Sequence, residues 1–482
     1  MAKYREISIT SGAPVTVHQL RGLRDNCDWV RAVRLSTVGT WGRLIGDAWT
    51  PSSSDGTTAY PLTPVRIDLR HHDRFYCAVR AYASGAGSWR VLMGMHGQAS
   101  TDDTLGLIRV DLTASGAGYI EGTGYCDPGQ STERVCLPSV TVSRTSGTAT
   151  LSIVSLALYA TRTTEQDHGP AQLAPASAAD LQAPLESAAV LFDEPSVMVG
   201  WLGEYTLPVS STVALRWGYA GDAIQADATV TARCVVYQPG ANSGKTFALT
   251  HKHASGATYA TQISNAAVWR GVSVDLPVTA HPDGKTGAYR PAGTLTASAT
   301  ADVKRPVLTA ASIDVTLGDH CKNLVFGSVV PRSRDLVTAA LMASVTDAVA
   351  AGTASRAGCV AGGLAVGGRA YSLTSKEQTI YRGHCWTLDD DYDGNTATEA
   401  KYTVTIRMSA SATAYVTLGV SIGGGTAGAV TLPVSGSDDV YTGTVSVARD
   451  VTRVVQTVDI KAKSSPNITA TVYSVHVCRR QE

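Results

Sequence analysis

The stretch Ala149–Tyr159, ATLSIVSLALY, decides how this chain reads. Its residues are β-branched or apolar, with small polar residues interleaved at a period near two, the pattern of a strand with one face buried. The same design returns at Ala228–Tyr237 (ATVTARCVVY), Thr309–Leu317 (TAASIDVTL) and Thr469–Cys478 (TATVYSVHVC). A run of this kind is expected to close each domain. Repeated strands of this type predict a mainly β chain: a multi-domain β-sandwich, jelly-roll or immunoglobulin-like, with short linker helices.

Working outward, residues 1–162 read as an N-terminal β-sandwich. Its expected strands are Glu6–Thr10, Val15–Leu20, Trp29–Leu35, Val65–Leu69, Phe75–Tyr82, Trp89–Met95 and Leu107–Leu112, followed by the closing run. Ser-Gly-Ala-Gly occurs at Ser84–Gly87 and again at Ser115–Gly118, and both copies read as hairpin turns. Residues 163–195 shift to Ala, Gln, Pro and Glu, and Leu181, Leu185, Ala188 and Leu191 recur at helical spacing. This predicts a linker with a short helix, limited by Pro184.

A middle β domain is expected over 196–330, either one elaborated sandwich or two small units, since two of the recurrent runs fall inside it. Ser333 as a cap and Gly352 as a stop bracket a bridging helix in 331–352, whose apolar face carries Leu336, Ala340 and Leu341. The last domain, 353–482, echoes the first. Arg80, Trp89 and Gly94 have counterparts in Arg407, Tyr415 and Gly419, each set reaching a closing run after a similar distance.

Composition narrows the function. The chain has 482 residues, enough for about three domains. With 40 basic and 40 acidic residues there is no net field to draw in nucleic acid or an anionic membrane, so neither is an expected partner. Hydrophobic residues make up 44%, but only 4 are Phe, which suits several thin β-layers. The opening MAKYREISITSGAPV alternates where a secretory signal carries an apolar run, so synthesis in the cytoplasm without a signal peptide is expected. The 9 cysteines are odd in number and have no C-x-x-C pair, which fits reduced, buried thiols; Cys126 and Cys136 are near enough to bridge a loop.

Candidate chemistry is sparse. Gly240-Ala-Asn-Ser-Gly-Lys-Thr246 resembles a phosphate loop, but three residues separate its glycines where four are required, and a strand pattern follows in place of a helix. It reads as a turn, as does His281–Gly287. Asp389, Asp391, Asp393 and Gly394 occupy the first, third, fifth and sixth places of a calcium loop. The twelfth place is Ala400, with Glu399 displaced by one, so Ca²⁺ binding by Asp389, Asp391 and Asp393 stands beside a solvated acidic turn.

His251 and His253 share a strand face and could complete a transition-metal site in a trimer, whereas His71, His72 and Asp73 point to alternate faces. Trp41, Trp49, Trp201, Trp217 and Trp269 are either carbohydrate platforms or core. Asn467-Ile-Thr469 fits a glycan acceptor. No G-x-S-x-G nucleophile signature is present, and the expectation is that the protein is not an enzyme.

The Ala/Thr/Val/Gly-rich β-domains, the scattered thiols and phrases such as Thr40-Trp-Gly-Arg-Leu-Ile-Gly46 resemble virion structural proteins of tailed bacteriophages from GC-rich hosts. These include head decoration, fibre, neck and baseplate proteins built from jelly-roll or immunoglobulin-like sandwiches. The resemblance implies a virion location and a non-catalytic structural role. It implies self-assembly as a homo-oligomer, commonly a trimer, with capsid or tail proteins and a host-surface glycan as further partners. The alternative from another class is a carbohydrate-binding or glycan-degrading β-sandwich protein.

Overall fold

The structure is a computed structural model. It describes residues 15–22, 37–68, 72–97, 100–129, 133–161, 196–219, 229–237, 245–253, 257–265, 272–278, 292–299, 306–316, 359–386, 399–448 and 455–479. Among these residues the chain is almost wholly strand, with one short helix, α1, at 17–22. The expected linker helices within 163–195 and 331–352 lie outside the described residues.

A first set of strands comprises β1 (Thr37–Gly42), β2 (Asp55–Pro61), β3 (Val65–Asp68), β4 (Arg74–Ala83) and β5 (Gly87–Gly97). It continues with β6 (Ser100–Ala114), β7 (Gly118–Cys126), β8 (Glu133–Gly147) and β9 (Leu151–Thr161). A second set comprises β10 (Ser196–Thr206), β11 (Val213–Gly218), β12 (Thr229–Tyr237), β13 (Lys245–His253), β14 (Ala257–Asn265), β15 (Val272–Val278), β16 (Ala292–Ala299) and β17 (Val307–Thr316). The third comprises β18 (Cys359–Leu373), β19 (Gln378–Trp386), β20 (Glu399–Ala410), β21 (Ala414–Ile422), β22 (Gly428–Val434), β23 (Asp439–Ala448), β24 (Val455–Ser465) and β25 (Ile468–Arg479).

The three sets share one topology. In the first, β1-β9-β4-β7 form one layer and β2-β8-β5-β6 the other, with β3 extending along β8 the edge that β2 begins. In the second the layers are β10-β17-β12-β15 and β11-β16-β13-β14, and in the third β18-β25-β20-β23 and β19-β24-β21-β22. Counting β2 and β3 as one split strand, each set runs first-eighth-third-sixth over second-seventh-fourth-fifth. That is the eight-stranded double Greek key of a jelly roll. Arg80 and Arg407 lie on equivalent third strands, and Trp89 and Tyr415 on equivalent fourth strands.

The opening stretch is β9, an eighth strand, and Thr309–Leu317 and Thr469–Cys478 supply the eighth strands β17 and β25. Each lies between a first and a third strand. Its inner face meets the core and its outer face meets another module, which accounts for the near-continuous burial of β9. The run Ala228–Tyr237 closes nothing: it is β12, a third strand paired with β17, so the middle region is one sandwich among the described residues.

Two local readings are corrected. Val15–Leu20, expected as a strand, leads instead into α1, because Thr16 and Gln19 form a capping box. The Gln19 amide donates to Thr16 Oγ1 at 3.3 Å and the Thr16 amide to Gln19 Oε1 at 2.8 Å. The two Ser-Gly-Ala-Gly segments are not hairpins. They join β4 to β5 and β6 to β7, strands of opposite layers.

The modules are interlocked by their first strands. β1 places Trp41 in the first core, and Leu44, two residues past the end of β1 and bridged to Tyr381, lies in the third. β10 places Trp201 in the second core and Leu202 in the first. β18 places Ala361 and Ala365 in the third core and Leu364 in the second. Each module therefore lends a leucine to one neighbour and receives one from the other, in a closed cycle of three. Glycines let the strands approach: a Cβ on Gly42 would stand 2.1 Å from the Gly362 carbonyl oxygen of β18, and one on Gly200 would stand 2.5 Å from the Thr40 oxygen of β1.

Candidate functional site

One row of residues recurs at the seams. Arg80, Arg233 and Arg407, on the third strands, stand opposite Ser155, Ser312 and Ser474 on the eighth strands. The ladder bulges directly after Arg80 and directly after Arg407, tightening the local twist at both. All three serines are buried.

Each arginine is held by an aspartate. Arg80 meets Asp459 of the third module at 2.9 Å and donates to the Gly383 carbonyl there. Arg407 forks onto Asp438, with Nε to Oδ1 and Nη2 to Oδ2 both at 3.0 Å, while its Nη1 donates to the Trp217 and Gly293 carbonyls of the second module. Asp438 also takes Arg216 of the second module at 2.7 Å, and that guanidinium lies over the Tyr473 ring. Arg233 meets Asp314 at 2.6 Å.

Arg43 occupies the meeting of the first strands. It donates to the Leu202 carbonyl at 2.8 Å, pairs with Asp47 at 2.9 Å and lies over the Trp201 ring. Burial lowers its affinity for the proton and raises that of Asp47, the pair's mutual attraction opposing both shifts. Arg80, Arg407, Arg216 and Arg43 thus hold modules together, while the Arg233–Asp314 pair joins β12 to β17 within the second.

Outside the seams, an aromatic stripe runs along β7, the edge strand of its layer. The sequence Gly118-Tyr-Ile-Glu-Gly-Thr-Gly-Tyr-Cys126 alternates, so Tyr119, Glu121, Thr123 and Tyr125 face outward. The inward glycines admit β6: a Cβ on Gly122 would press on Val110 and Leu112, and one on Gly124 would stand 2.0 Å from the Arg109 oxygen. The neighbouring β4 supplies partners in register, Tyr82 beside Tyr119, Arg80 beside Glu121 and Tyr76 beside Tyr125.

The rings are fixed from two sides. Tyr82 and Tyr119 meet edge to face with centroids 5.2 Å apart, and Arg382 of the third module lies over Tyr119 at 4.2 Å. Tyr76 and Tyr125 are 5.7 Å apart, and Arg74 lies over Tyr125 at 4.3 Å. Asp127 pairs with Arg74 at 2.6 Å, and that hydrogen bond holds its carboxyl below the usual carboxylate range.

The residues singled out from sequence fall elsewhere. Asp389, Asp391 and Asp393, between β19 and β20, lie outside the described residues, and so does Trp269, between β14 and β15. Trp41, Trp49, Trp201 and Trp217 are all buried, so none of these four is a surface platform. Trp41 donates to Thr63 Oγ1 at 3.0 Å within the first module.

His251 is buried on the inner face of β13 with its ring 5.6 Å from that of Trp217, which makes this a core position and not a metal site at a surface between chains. His72 is buried ahead of β4. Lys245 and Thr246 open strand β13, and the rest of the glycine-rich loop before them lies outside the described residues, as does His281–Gly287. No disulfide joins Cys126 and Cys136; burial raises the Cys126 thiol to about 11. Among the described residues no group of three or more His, Cys, Asp or Glu side chains is placed to hold a metal ion, and no helix is long and apolar enough to cross a membrane.

Fold and surface define a three-module jelly-roll protein with an aromatic stripe on its first module. No family model matches the chain, and no curated protein matches it. Among solved structures it is similar to the tandem CBM22 modules of Paenibacillus barcinonensis Xyn10C, with 11% identity over 64% of this chain and 100% of that one, at a TM-score of 0.17. It is also similar to VP2 of the infectious bursal disease virus subviral particle, with 8% identity over 94% and 86% of the two chains at a TM-score of 0.19. A structure of Sulfolobus Turreted Icosahedral Virus matches with 9% identity over 97% and 99% at a TM-score of 0.13. These weak neighbours include both virus-particle proteins and carbohydrate-binding modules, and likenesses at such scores carry no argument between them.

Proposed function

We propose that this protein is a non-catalytic structural component of a virus particle, of the head-decoration, fibre or tail-associated type, in which one chain supplies the threefold arrangement that other systems build from three chains. The observation that carries this reading is the closed exchange of Leu44, Leu202 and Leu364 among three modules of one topology. Jelly rolls serve recurrently as capsid and lectin domains. Here their third-strand arginines are committed to clasping aspartates and, for Arg80 and Arg407, to carbonyls of a neighbouring module, as suits a rigid building block.

Electron microscopy of native particles labelled with an antibody to this chain is the test. Label at defined positions on intact particles is expected; a chain found wholly in the particle-free fraction sinks the proposal. The resemblance implies a homo-oligomer, commonly a trimer; with a threefold arrangement supplied inside one chain, light scattering of the purified chain should return the mass of one copy, 50.3 kDa. Three times that mass would move the threefold axis to between chains. Release of reducing ends from a polysaccharide would overturn the non-catalytic part.

A further inference from the structure

The stripe on β4 and β7 has the make-up of a binding face, and we infer that it binds a neutral glycan chain. Tyr119 and Tyr125 are six residues apart on one extended strand, about 20 Å along the sheet face. They are 38% and 59% exposed. Tyrosine offers apolar ring carbons to the C–H surface of a sugar and a hydroxyl to its oxygens, at the cost of few rotatable bonds. Arg382 and Arg74 each lie over one ring face here, so the exposed remainder of each ring is what a sugar would meet. Here each ring is already fixed by a second tyrosine and an arginine, so little motion is left to lose on binding.

Between the two ring pairs, Glu121 and Thr123 face solvent as acceptor and hydroxyl, and the Glu121 side chain is 53% exposed. Charge selects the ligand class. The guanidinium groups of Arg74, Arg80 and Arg382 are matched by the carboxylates of Asp127, Glu121 and Asp459. With these pairs matched and Asp73 adding a further carboxylate beside Asp127, the face carries no unmatched positive charge, which favours a neutral polyhydroxylated chain over a sulfated or sialylated one. None of the outward residues of β7 is aliphatic, and the one aliphatic side chain on this face of β4, Ala78 opposite Thr123, is buried. The stripe's exposed residues therefore include no group of the kind a protein partner would bury at the centre of an interface.

This inference deepens the virion reading by naming the ligand class and its place, but its test is independent of particle assembly. The full chain is run in native gels containing dextran, mannan, laminarin or arabinogalactan, with hyaluronate as the anionic comparison. Retardation by at least one neutral polysaccharide is expected, unchanged at high salt, lost in Tyr119→Ala/Tyr125→Ala and in Tyr125→Ala alone, and kept in Tyr415→Ala, which removes an exposed tyrosine of the third module. Mobility in plain gels verifies that the variants are folded. No retardation by any neutral polymer, equal retardation of the tyrosine variants, or retardation confined to hyaluronate and abolished by salt would each overturn the proposal. Those results would leave antibody labelling of particles untouched.

Discussion

His384 lies on β19 against the seam between the first and third modules, 2% exposed, and its pKa is lowered to about 3, chiefly by burial and secondly by the charge of Arg80. The folded protein therefore keeps this imidazole neutral, while the unfolded chain takes up a proton near pH 6.5. Between those values the unfolded state binds the extra proton. The stability contributed by the neutral ring is complete above about pH 6.5 and is lost as pH falls toward 3, at about 1.4 kcal/mol per pH unit. Urea midpoints measured from pH 7 to pH 4 should fall more steeply for the wild type than for His384→Gln. Parallel curves would show that the ring does not titrate against folding.

At the scale of the element, the third strands carry the seams. Removing Arg407 leaves Asp438 facing Arg216 alone and strips the Trp217 and Gly293 carbonyls of a donor, so Arg407→Ala should cost about 2–3 kcal/mol. Arg407→Lys should recover little, because one ammonium cannot fork onto a carboxylate and also reach two carbonyls. Guanidinium midpoints of both variants check this, and a lysine variant of wild-type stability would refute the geometric account.

The same scale explains what was legible in the sequence. Eighth strands are buried on both faces, so β9, β17 and β25 read plainly as strands. β7 did not, because its inner face carries only Ile120 and Cys126 among glycines while its outer face carries exposed tyrosines, leaving too thin an apolar side to detect. Pro138 weakens the reading of β8, yet it falls where the partner strand is split into β2 and β3 and its oxygen accepts from the Leu62 amide. The tryptophans were visible as aromatics. Strand periodicity places residues on alternate faces but does not say which face is core, so the solvent-facing rings, Tyr119 and Tyr125, went unremarked.

For the whole molecule, the exchange of first-strand leucines sets how the chain comes apart. Three sandwiches joined only by linkers would melt as separate units, since interfaces between domains are ordinarily smaller and more polar than cores. Here the second core contains Leu364 from β18, the first contains Leu202 from β10 and the third contains Leu44 from the segment just past β1. Unfolding any one module removes a packed leucine from a neighbour and exposes the pocket that held it, about 2–5 kcal/mol for each site vacated. Partly unfolded states are penalised at two seams at once, so calorimetry should record one transition with equal calorimetric and van't Hoff enthalpies. Leu364→Ala should lower the midpoint of that single transition, because the defect in the second core is felt by both modules that flank it. A variant scan that splits into two peaks, with the first and third modules melting at the wild-type temperature, would show that the modules are merely tethered and that the ring is not a cooperative unit.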